Sequence, residues 1–96
     1  MVRVKGVDLS KTSFQNDFRK LPDEIRIEAG VRIASLVNAD VVPAALRFHR
    51  LQDYKPNIYT IDVWPKMAYK ASFNIVDGVA VFRRIGTHKS IDRSPE

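Results

Sequence analysis

The chain contains no cysteine, and its four glycines are isolated from one another. Without cysteine it can form neither a disulfide nor a thiolate metal site, and a reducing compartment is its expected location. Isolated glycines do not make a glycine-rich phosphate-binding loop. The two histidines and scattered aspartates match no zinc-ligand spacing. The sequence therefore predicts a protein with no metal site and no cofactor.

Long apolar runs are also missing. The first ten residues, MVRVKGVDLS, lack the apolar core of a signal peptide. No apolar segment approaches the roughly 18 residues that a membrane-spanning helix needs. The composition, 45% hydrophobic and 28% charged, is typical of a globular chain of one core. We expect a single soluble, cytoplasmic domain over residues 1–96 that has no membrane partner.

Positive charge is present in excess and is unevenly placed. The net charge is +5, and residues 46–96 hold nine basic against five acidic side chains, whereas residues 1–45 hold seven against six. A basic excess in one half is typical of a surface that binds a polyanion. Five basic residues of the second half are candidates for sequence-independent phosphate contacts: Arg47, Arg50, Lys55, Arg83 and Lys89.

The first half of the chain predicts one strand and two helices. Residues 2–7 alternate apolar and basic side chains, as a short strand does. A capping box beginning at Thr12, followed by apolar residues at helical spacing, predicts a helix over 13–20. Pro22 should end that helix and open a second one, which ends near 38–39. Three residues form the apolar stripe of the second helix: Ile25, Ala29 and Ile33.

The second half predicts strands. Four segments, 46–51, 58–64, 67–76 and 79–85, have strand character, and Asp77-Gly78 is a strong hairpin signal. The predicted class is α+β: a β-α-α unit followed by an antiparallel meander, with the helical hairpin packed on one face of the sheet.

Alternation along the strands predicts which side chains meet the helices. The apolar set is Tyr69, Ala71, Phe73, Ile75, Val79, Val81 and Ile85. The opposite, polar face would carry Thr60, Asp62, Lys70, Ser72, Asn74 and Arg84. Because Arg83 and Arg84 are adjacent, they should point to opposite faces, and alternation assigns Arg84 to the polar one.

The two histidines are the natural candidates for proton transfer. Imidazole ordinarily titrates near neutral pH. His49 lies between Arg47 and Arg50, and His88 follows Arg84 at the end of the last predicted strand. Nearby cations can stabilise charge that develops on a phosphate oxygen. This mixture suits RNA cleavage through attack by the 2′-hydroxyl of RNA itself.

Three segments in this order resemble the RelE/ParE superfamily of bacterial toxins. They are SFQNDFRKLPDEIR, then RFHRLQDY with IYTIDV, then YKASFNIVDGVAVFRRIGTHKSID, and together they span nearly the whole chain. The RIGTH ending is most similar to the YafQ-like and HigB-like branches. The resemblance implies a compact β-α-α-β-β-β fold, often with a final helix, although the tail IDRSPE looks too short for a full one. It also implies a type II toxin that cleaves mRNA in the ribosomal A site and is neutralised by a cognate antitoxin.

The resemblance also implies a set of catalytic positions. Arg84 and His88 match the arginine and histidine of the YafQ-like ending, His49 matches a histidine of HigB-like members, and Lys70 stands where RelE has an arginine. The catalytic candidates are therefore His49, Lys70, Arg84 and His88. Three positions depart from the family pattern: Thr60, Asp62 and Asp92, the last replacing an aromatic residue.

Two other functions remain open at this point. ParE-like members share the fold but inhibit DNA gyrase without any nuclease residues. A degenerate toxin that acts only as antitoxin partner and corepressor is the third possibility. The retained Arg84 and His88 favour the mRNA endonuclease.

Overall fold

A computed structural model describes residues 4–37, 46–51, 54–55, 57–64 and 68–96. Over these ranges the elements are β1 (Gly6–Asp8), α1 (Thr12–Arg19), α2 (Asp23–Ala34), β2 (His49–Arg50), β3 (Tyr59–Asp62), β4 (Tyr69–Val76), β5 (Val79–Thr87) and α3 (His88–Arg93). The α+β class and the order of elements are confirmed. The first predicted strand is shifted to β1, the strand predicted over 46–51 shrinks to β2, and a short final helix, α3, is added.

The two helices form as the apolar pattern predicts. Pro22 is the N-cap of α2, and Ile25, Ala29 and Ile33 are its buried residues. The helix ends at Ala34, before the predicted end at 38–39, which lies outside the described residues.

The capping box predicted for α1 is not formed. Lys11 occupies the N-cap position without a side-chain hydrogen bond. Gln15 instead donates from its Nε2 to the carbonyl of Leu9, at 3.3 Å. The helix therefore begins one residue earlier than its sequence signal indicated.

The five strands lie in the order β1-β5-β4-β3-β2. Strands β2 to β5 are antiparallel to their neighbours, and β1 joins β5 in parallel. The β4–β5 hairpin turns at Asp77 and Gly78, whose φ angles of 51° and 82° are those of the predicted turn. A Cβ at Gly78 would lie 2.5 Å from Lys5 Cε, so glycine also lets the chain before β1 pass close to the turn.

Aromatic rings connect α1 to the sheet. Phe14 of α1 lies 5.7 Å from Phe82 of β5, which lies 4.8 Å from Phe73 of β4, measured between ring centroids. Tyr59 of β3 continues the row at 5.9 Å from Phe73. Since large buried aromatics contribute most to a small core, this row fixes the helices on one face of the sheet. The prediction that the helices pack on one face is confirmed.

A bulge in β5 changes which residues face that core. Phe73 pairs with Phe82 but Ser72 pairs with Arg84, so Arg83 is the extra residue. The insertion reverses the alternation at this point. As a result Ala80, Phe82 and Ile85 are buried. The prediction that Val79 and Val81 face the helices is wrong, because strict alternation cannot accommodate an inserted residue; both are only partly buried.

The bulge makes a testable difference to stability. Phe82→Leu should lower the free energy of unfolding by about 1–2 kcal/mol, since it removes part of a ring from the core. Val81→Ala, the matched change on the neighbouring residue, should cost less than about 1 kcal/mol. Denaturant unfolding followed by circular dichroism measures both. A larger cost at position 81 than at position 82 would contradict the observed register.

Candidate active site

The face of the sheet opposite the helices carries a row of polar side chains that are buried, not solvated. Thr60 lies opposite Ser72 in the register, and Asp62 lies opposite Lys70. These four and Asn74 are between 0% and 5% exposed. Five of the six residues predicted for this face form the row. Because a buried polar group needs a partner, whatever covers this row must also bind it.

The chain after β5 provides the cover. Ser72 donates a hydrogen bond from its hydroxyl to the carbonyl oxygen of Pro95. Ile91 of α3 is buried and lies near Gly86, which pairs with Lys70. A Cβ at Gly86 would lie 2.9 Å from Ser90 Oγ, so glycine is what lets α3 approach the sheet this closely.

The start of α3 is fixed by local hydrogen bonds. Thr87 is its N-cap, and its hydroxyl accepts from the backbone N–H of Ser90 at 3.2 Å. The backbone N–H of His88 donates to the carbonyl of Ala68 at 3.0 Å, which ties the first helical residue to the chain entering β4. These hydrogen bonds fix the backbone of His88 at the end of the sheet, independently of any contact of its side chain.

Asp92 joins two of the predicted catalytic residues. Its Oδ1 accepts from Lys70 Nζ at 3.0 Å, and its Oδ2 lies 2.9 Å from His88 Nδ1, within ion-pair distance. The Lys70 side chain is 3% exposed, whereas those of His88 and Asp92 are 34% and 46% exposed. The carboxylate neutralises a buried ammonium and lies beside Nδ1 of an accessible imidazole, which leaves Nε2 as the nitrogen for proton exchange. We call these three residues the Lys70–Asp92–His88 cluster.

One local feature of the sequence indicates the contact between Asp92 and His88. Asp92 follows His88 by four residues, the spacing at which side chains on a helix meet. Its contact with Lys70 lies 22 residues away along the chain and requires α3 to fold back over β4. Treated only as a departure from a family pattern, Asp92 was missed as a site residue.

Arg84 is not part of this cluster. Its guanidinium donates to Asp17 of α1 through Nε at 2.6 Å and through Nη2 at 3.1 Å. The hydrogen bond to Asp17 raises the pKa of Arg84, against a smaller opposing effect of burial. Although Arg84 pairs with Ser72 of the polar row, the structure does not bring its guanidinium to His88. The two side chains lie against different carboxylates on different helices.

The Arg84–Asp17 pair has a structural task at the edge of β5. Strand β1 pairs only with Val79, Ala80 and Val81, so it leaves the rest of that edge free. Helix α1 completes it: Asp17 accepts from the backbone N–H of Ile85 at 3.2 Å, and Ser13 donates to the carbonyl of Arg83 at 3.0 Å. Side chains of α1 thus satisfy backbone groups of an otherwise open strand edge.

Arg83, and not Arg84, bonds a residue of the polar row. Its Nη1 donates to Asn74 Oδ1 at 2.7 Å. Alternation placed Arg84 on the polar face, and its pairing with Ser72 agrees with that. Alternation placed Arg83 on the opposite face, but the bulge brings its side chain to the polar row as well.

The remaining predicted residues lie outside the Lys70–Asp92–His88 cluster. The backbone of His49 pairs with Thr60, and only its backbone is described. Arg47 Nε lies 3.4 Å from Asp62 Oδ2, so that cation is already near a carboxylate. Arg50, Lys55 and Lys89 are exposed.

Within the described ranges, no group of three or more His, Asp or Glu side chains could hold a metal ion. Within the same ranges, no helix is long and apolar enough to cross a membrane.

Comparison with solved structures identifies the fold. A chain of the RelB–RelE antitoxin–toxin complex from Methanococcus jannaschii superimposes with a TM-score of 0.66 and 24% identity, over 88% of this chain and 96% of that one. The chain has the fold of RelE-like toxins. YafQ from E. coli strain BL21(DE3) gives a TM-score of 0.62 and 17% identity, over 95% and 98% of the two chains.

A copper-bound mutant toxin from Helicobacter pylori also has this RelE-like fold, with a TM-score of 0.56 and 20% identity over 95% and 99% of the two chains. No family model matches the sequence, and no curated protein matches it significantly. The predicted RelE/ParE-like architecture is confirmed at the level of the fold.

Arg84 and Asp17 should be energetically coupled. Removing either partner leaves a half-buried charge, so in a double-mutant cycle of Arg84→Ala and Asp17→Ala we expect a coupling energy of about 1 kcal/mol. Arg84→Lys should recover only part of it, since lysine lacks the two-pronged donor. Equilibrium unfolding of the four proteins of the cycle provides the values. Additive losses would show that the pair has no structural task.

The buried ammonium of Lys70 should depend on Asp92. Asp92→Asn is expected to lower the free energy of unfolding by about 1–3 kcal/mol, because Lys70 loses its compensating charge. Lys70→Met introduced into that variant should restore part of the loss, since it removes the uncompensated charge at similar volume. Thermal and denaturant unfolding report the difference. A double variant less stable than Asp92→Asn alone would contradict the pairing.

Proposed function

We propose that this protein is the toxin of a type II toxin–antitoxin system and cleaves mRNA in the ribosomal A site without a metal ion. The RelE-like fold and the basic excess of residues 46–96 support this proposal. The observation that carries it is the accessible imidazole of His88, whose Nδ1 lies 2.9 Å from a carboxylate oxygen of Asp92.

The chemistry follows from that arrangement. The 2′-hydroxyl of RNA attacks the adjacent phosphorus once a base takes its proton, and an acid protonates the departing 5′-oxygen, leaving a 2′,3′-cyclic phosphate and a 5′-hydroxyl. His88 exchanges one of these protons through Nε2. Asp92 is a positioning residue: its carboxylate orients the ring from the Nδ1 side.

Lys70 takes a different role from the one first predicted. At 3% exposure its ammonium cannot touch a phosphate while α3 lies over it. In our proposal it anchors Asp92 and thereby His88, as a second positioning residue. His49, whose backbone lies opposite Thr60, remains the candidate for the other proton transfer.

Basic residues around the face would hold the substrate. Arg47, Arg50, Lys55, Arg83 and Lys89 are proposed to contact phosphates of mRNA and of the ribosome without reading sequence. Arg84, committed to Asp17, is proposed to support α1 and β5 and not to contact RNA.

A cognate antitoxin is the proposed protein partner. The matched complexes pair RelE with RelB and YafQ with DinJ. A cavity of about 520 Å³ beside α1 and α2 is lined by Phe18, Asp23, Arg26 and Ile27, and Ile27 is 70% exposed. Arg26 is already paired with Asp23, so the apolar side chains are what the groove offers to the apolar face of an amphipathic helix.

A second function is favoured by one observation. The polar row is covered by the chain from α3 to Pro95, and a toxin that inhibits DNA gyrase through a protein surface needs no open polar face. The two functions predict different products. Cleaved mRNA supports the nuclease; intact mRNA with gyrase-dependent DNA breaks supports the ParE-like function.

The nuclease is tested in a translating extract, with mRNA ends mapped by primer extension. The protein should produce cuts within A-site codons, and His88→Gln should reduce the cleavage rate by at least about 100-fold, the range for loss of one general acid or base. Lys20→Gln, an exposed residue at the end of α1, is the control and should cleave normally.

The role of Asp92 is tested in the same assay by combining substitutions. Asp92→Asn should slow cleavage by about 10-fold, yet add little to His88→Gln, because a positioning residue acts through the group that it holds. Cleavage by His88→Gln at the rate of the unchanged protein would overturn the proposed function.

A further inference from the structure

A second group of polar side chains lies along the same face of the sheet, away from the Lys70–Asp92–His88 cluster. A cavity of about 60 Å³ is lined by Lys55, Ile58, Asn74, Arg83 and Glu96. It lies four residues from Lys70 along β4, about 13 Å at the rise of an extended strand. We call it the Arg83 pocket.

Arg83 has unused binding capacity there. Nη1 donates to the neutral amide of Asn74, but Nε is buried and has no hydrogen-bond partner among the residues that the structure describes. Within those residues no carboxylate lies in ion-pair distance of its guanidinium, in contrast to Arg84. A buried donor without an acceptor costs free energy. Because Arg83 as a whole is only partly buried, a turn of its side chain toward the pocket would bring Nε to a ligand that accepts hydrogen bonds.

Hydrogen bonds to both its side chain and its backbone hold Arg83 in position. Asn74 accepts from Arg83 and donates from Nδ2 to the carbonyl of Asn57 at 2.6 Å, which ties the guanidinium to the chain before β3. The carbonyl of Arg83 is held by Ser13 of α1. The bulge that inserts Arg83 into β5 thus also presents its side chain to this pocket.

We propose that the Arg83 pocket binds one phosphate group of the RNA substrate, at a linkage other than the one that is cut. An arginine fork and the point charge of Lys55 suit the several oxygens of a phosphodiester. The separation from His88 exceeds one nucleotide linkage, so the pocket positions the strand and takes no part in the chemistry. This inference rests on the proposed function for the identity of the anion as RNA.

The carboxylate of Glu96 should lower the affinity of the Arg83 pocket for an anion. Its side chain lines the same pocket as the two cations, so a bound phosphate must lie close to a like charge or displace it. Removing the Glu96 charge should therefore strengthen binding. A gain of affinity is an outcome that loss of folding cannot produce.

Two probes test the proposal on the full chain: inorganic phosphate, and a short oligoribonucleotide with 2′-O-methyl groups that cannot be cleaved. Both should shift the Nε–H resonance of Arg83 in ¹H–¹⁵N spectra. Arg83→Gln should weaken oligoribonucleotide binding by about 10-fold, and reduce the slope of log affinity against log salt by about 0.7. Glu96→Gln should raise the affinity by about threefold.

Arg19→Gln is the matched control. Arg19 also donates from its guanidinium to an asparagine oxygen, that of Asn16 at 3.2 Å, but it is exposed on α1. It should change the affinity by less than about twofold. Equal losses in the two arginine variants, or an Arg83 Nε–H resonance that neither probe shifts, would overturn the proposal. A response to inorganic phosphate alone would show a small-anion site and overturn its assignment to RNA.

Because the oligoribonucleotide cannot be cut, this experiment fails independently of the proposed function. Normal A-site cleavage with an unresponsive Arg83 would refute the pocket and leave the nuclease. A responsive Arg83 in a protein that does not cleave would refute the nuclease and leave an RNA-phosphate site.

Discussion

A lysine ammonium that is buried on a sheet face needs a carboxylate, and in this protein that requirement determines the candidate active site. Lys70 is covered by α3, and the only carboxylate bonded to its ammonium in the described part of the chain comes from α3 itself. The helix is six residues long, too short to be stable in isolation. Its docking onto Lys70, the capping by Thr87 and the space left by Gly86 together place His88 at the end of the sheet.

Sequence reasoning succeeded where the signal is local. The apolar spacing of Ile25, Ala29 and Ile33 identifies the buried side of α2, since helical periodicity repeats within a few residues. Asp77 and Gly78 predict the β4–β5 hairpin, because few residue types tolerate the positive φ angles that its turn requires. The polar row on β3 and β4 was also predictable, because both strands keep strict alternation.

The misses have a common physical origin in long-range contacts. One inserted residue, Arg83, leaves no mark in the pattern of apolar and polar residues, yet the insertion brings its side chain to the polar row beside Asn74. The partner of Arg84 lies 67 residues earlier in the chain, and that of Lys70 lies 22 residues later. Separations of this length follow no helical or strand periodicity, so neither pairing could be predicted from sequence spacing. The role of Asp92 became visible only when both of its contacts were known.

The chain after β5 follows the polar face of β4, with Asp92 at Lys70, Pro95 at Ser72 and Glu96 beside Asn74 and Arg83. Two acidic side chains of this segment thus lie near two cations of the sheet. In our account one of them, Asp92, orients a proton-transfer group, and the other, Glu96, stands where a substrate phosphate would bind. The same short segment therefore covers the polar face and contributes two acidic side chains to it.

The central claim is that Asp92 fixes the ring of His88 through Nδ1. Long-range ¹H–¹⁵N correlation of the His88 side chain, recorded where the imidazole is neutral, tests it directly. The account predicts the tautomer that carries its proton on Nδ1, with Nε2 unprotonated. A ring protonated on Nε2, or one that exchanges freely between both tautomers, would contradict it.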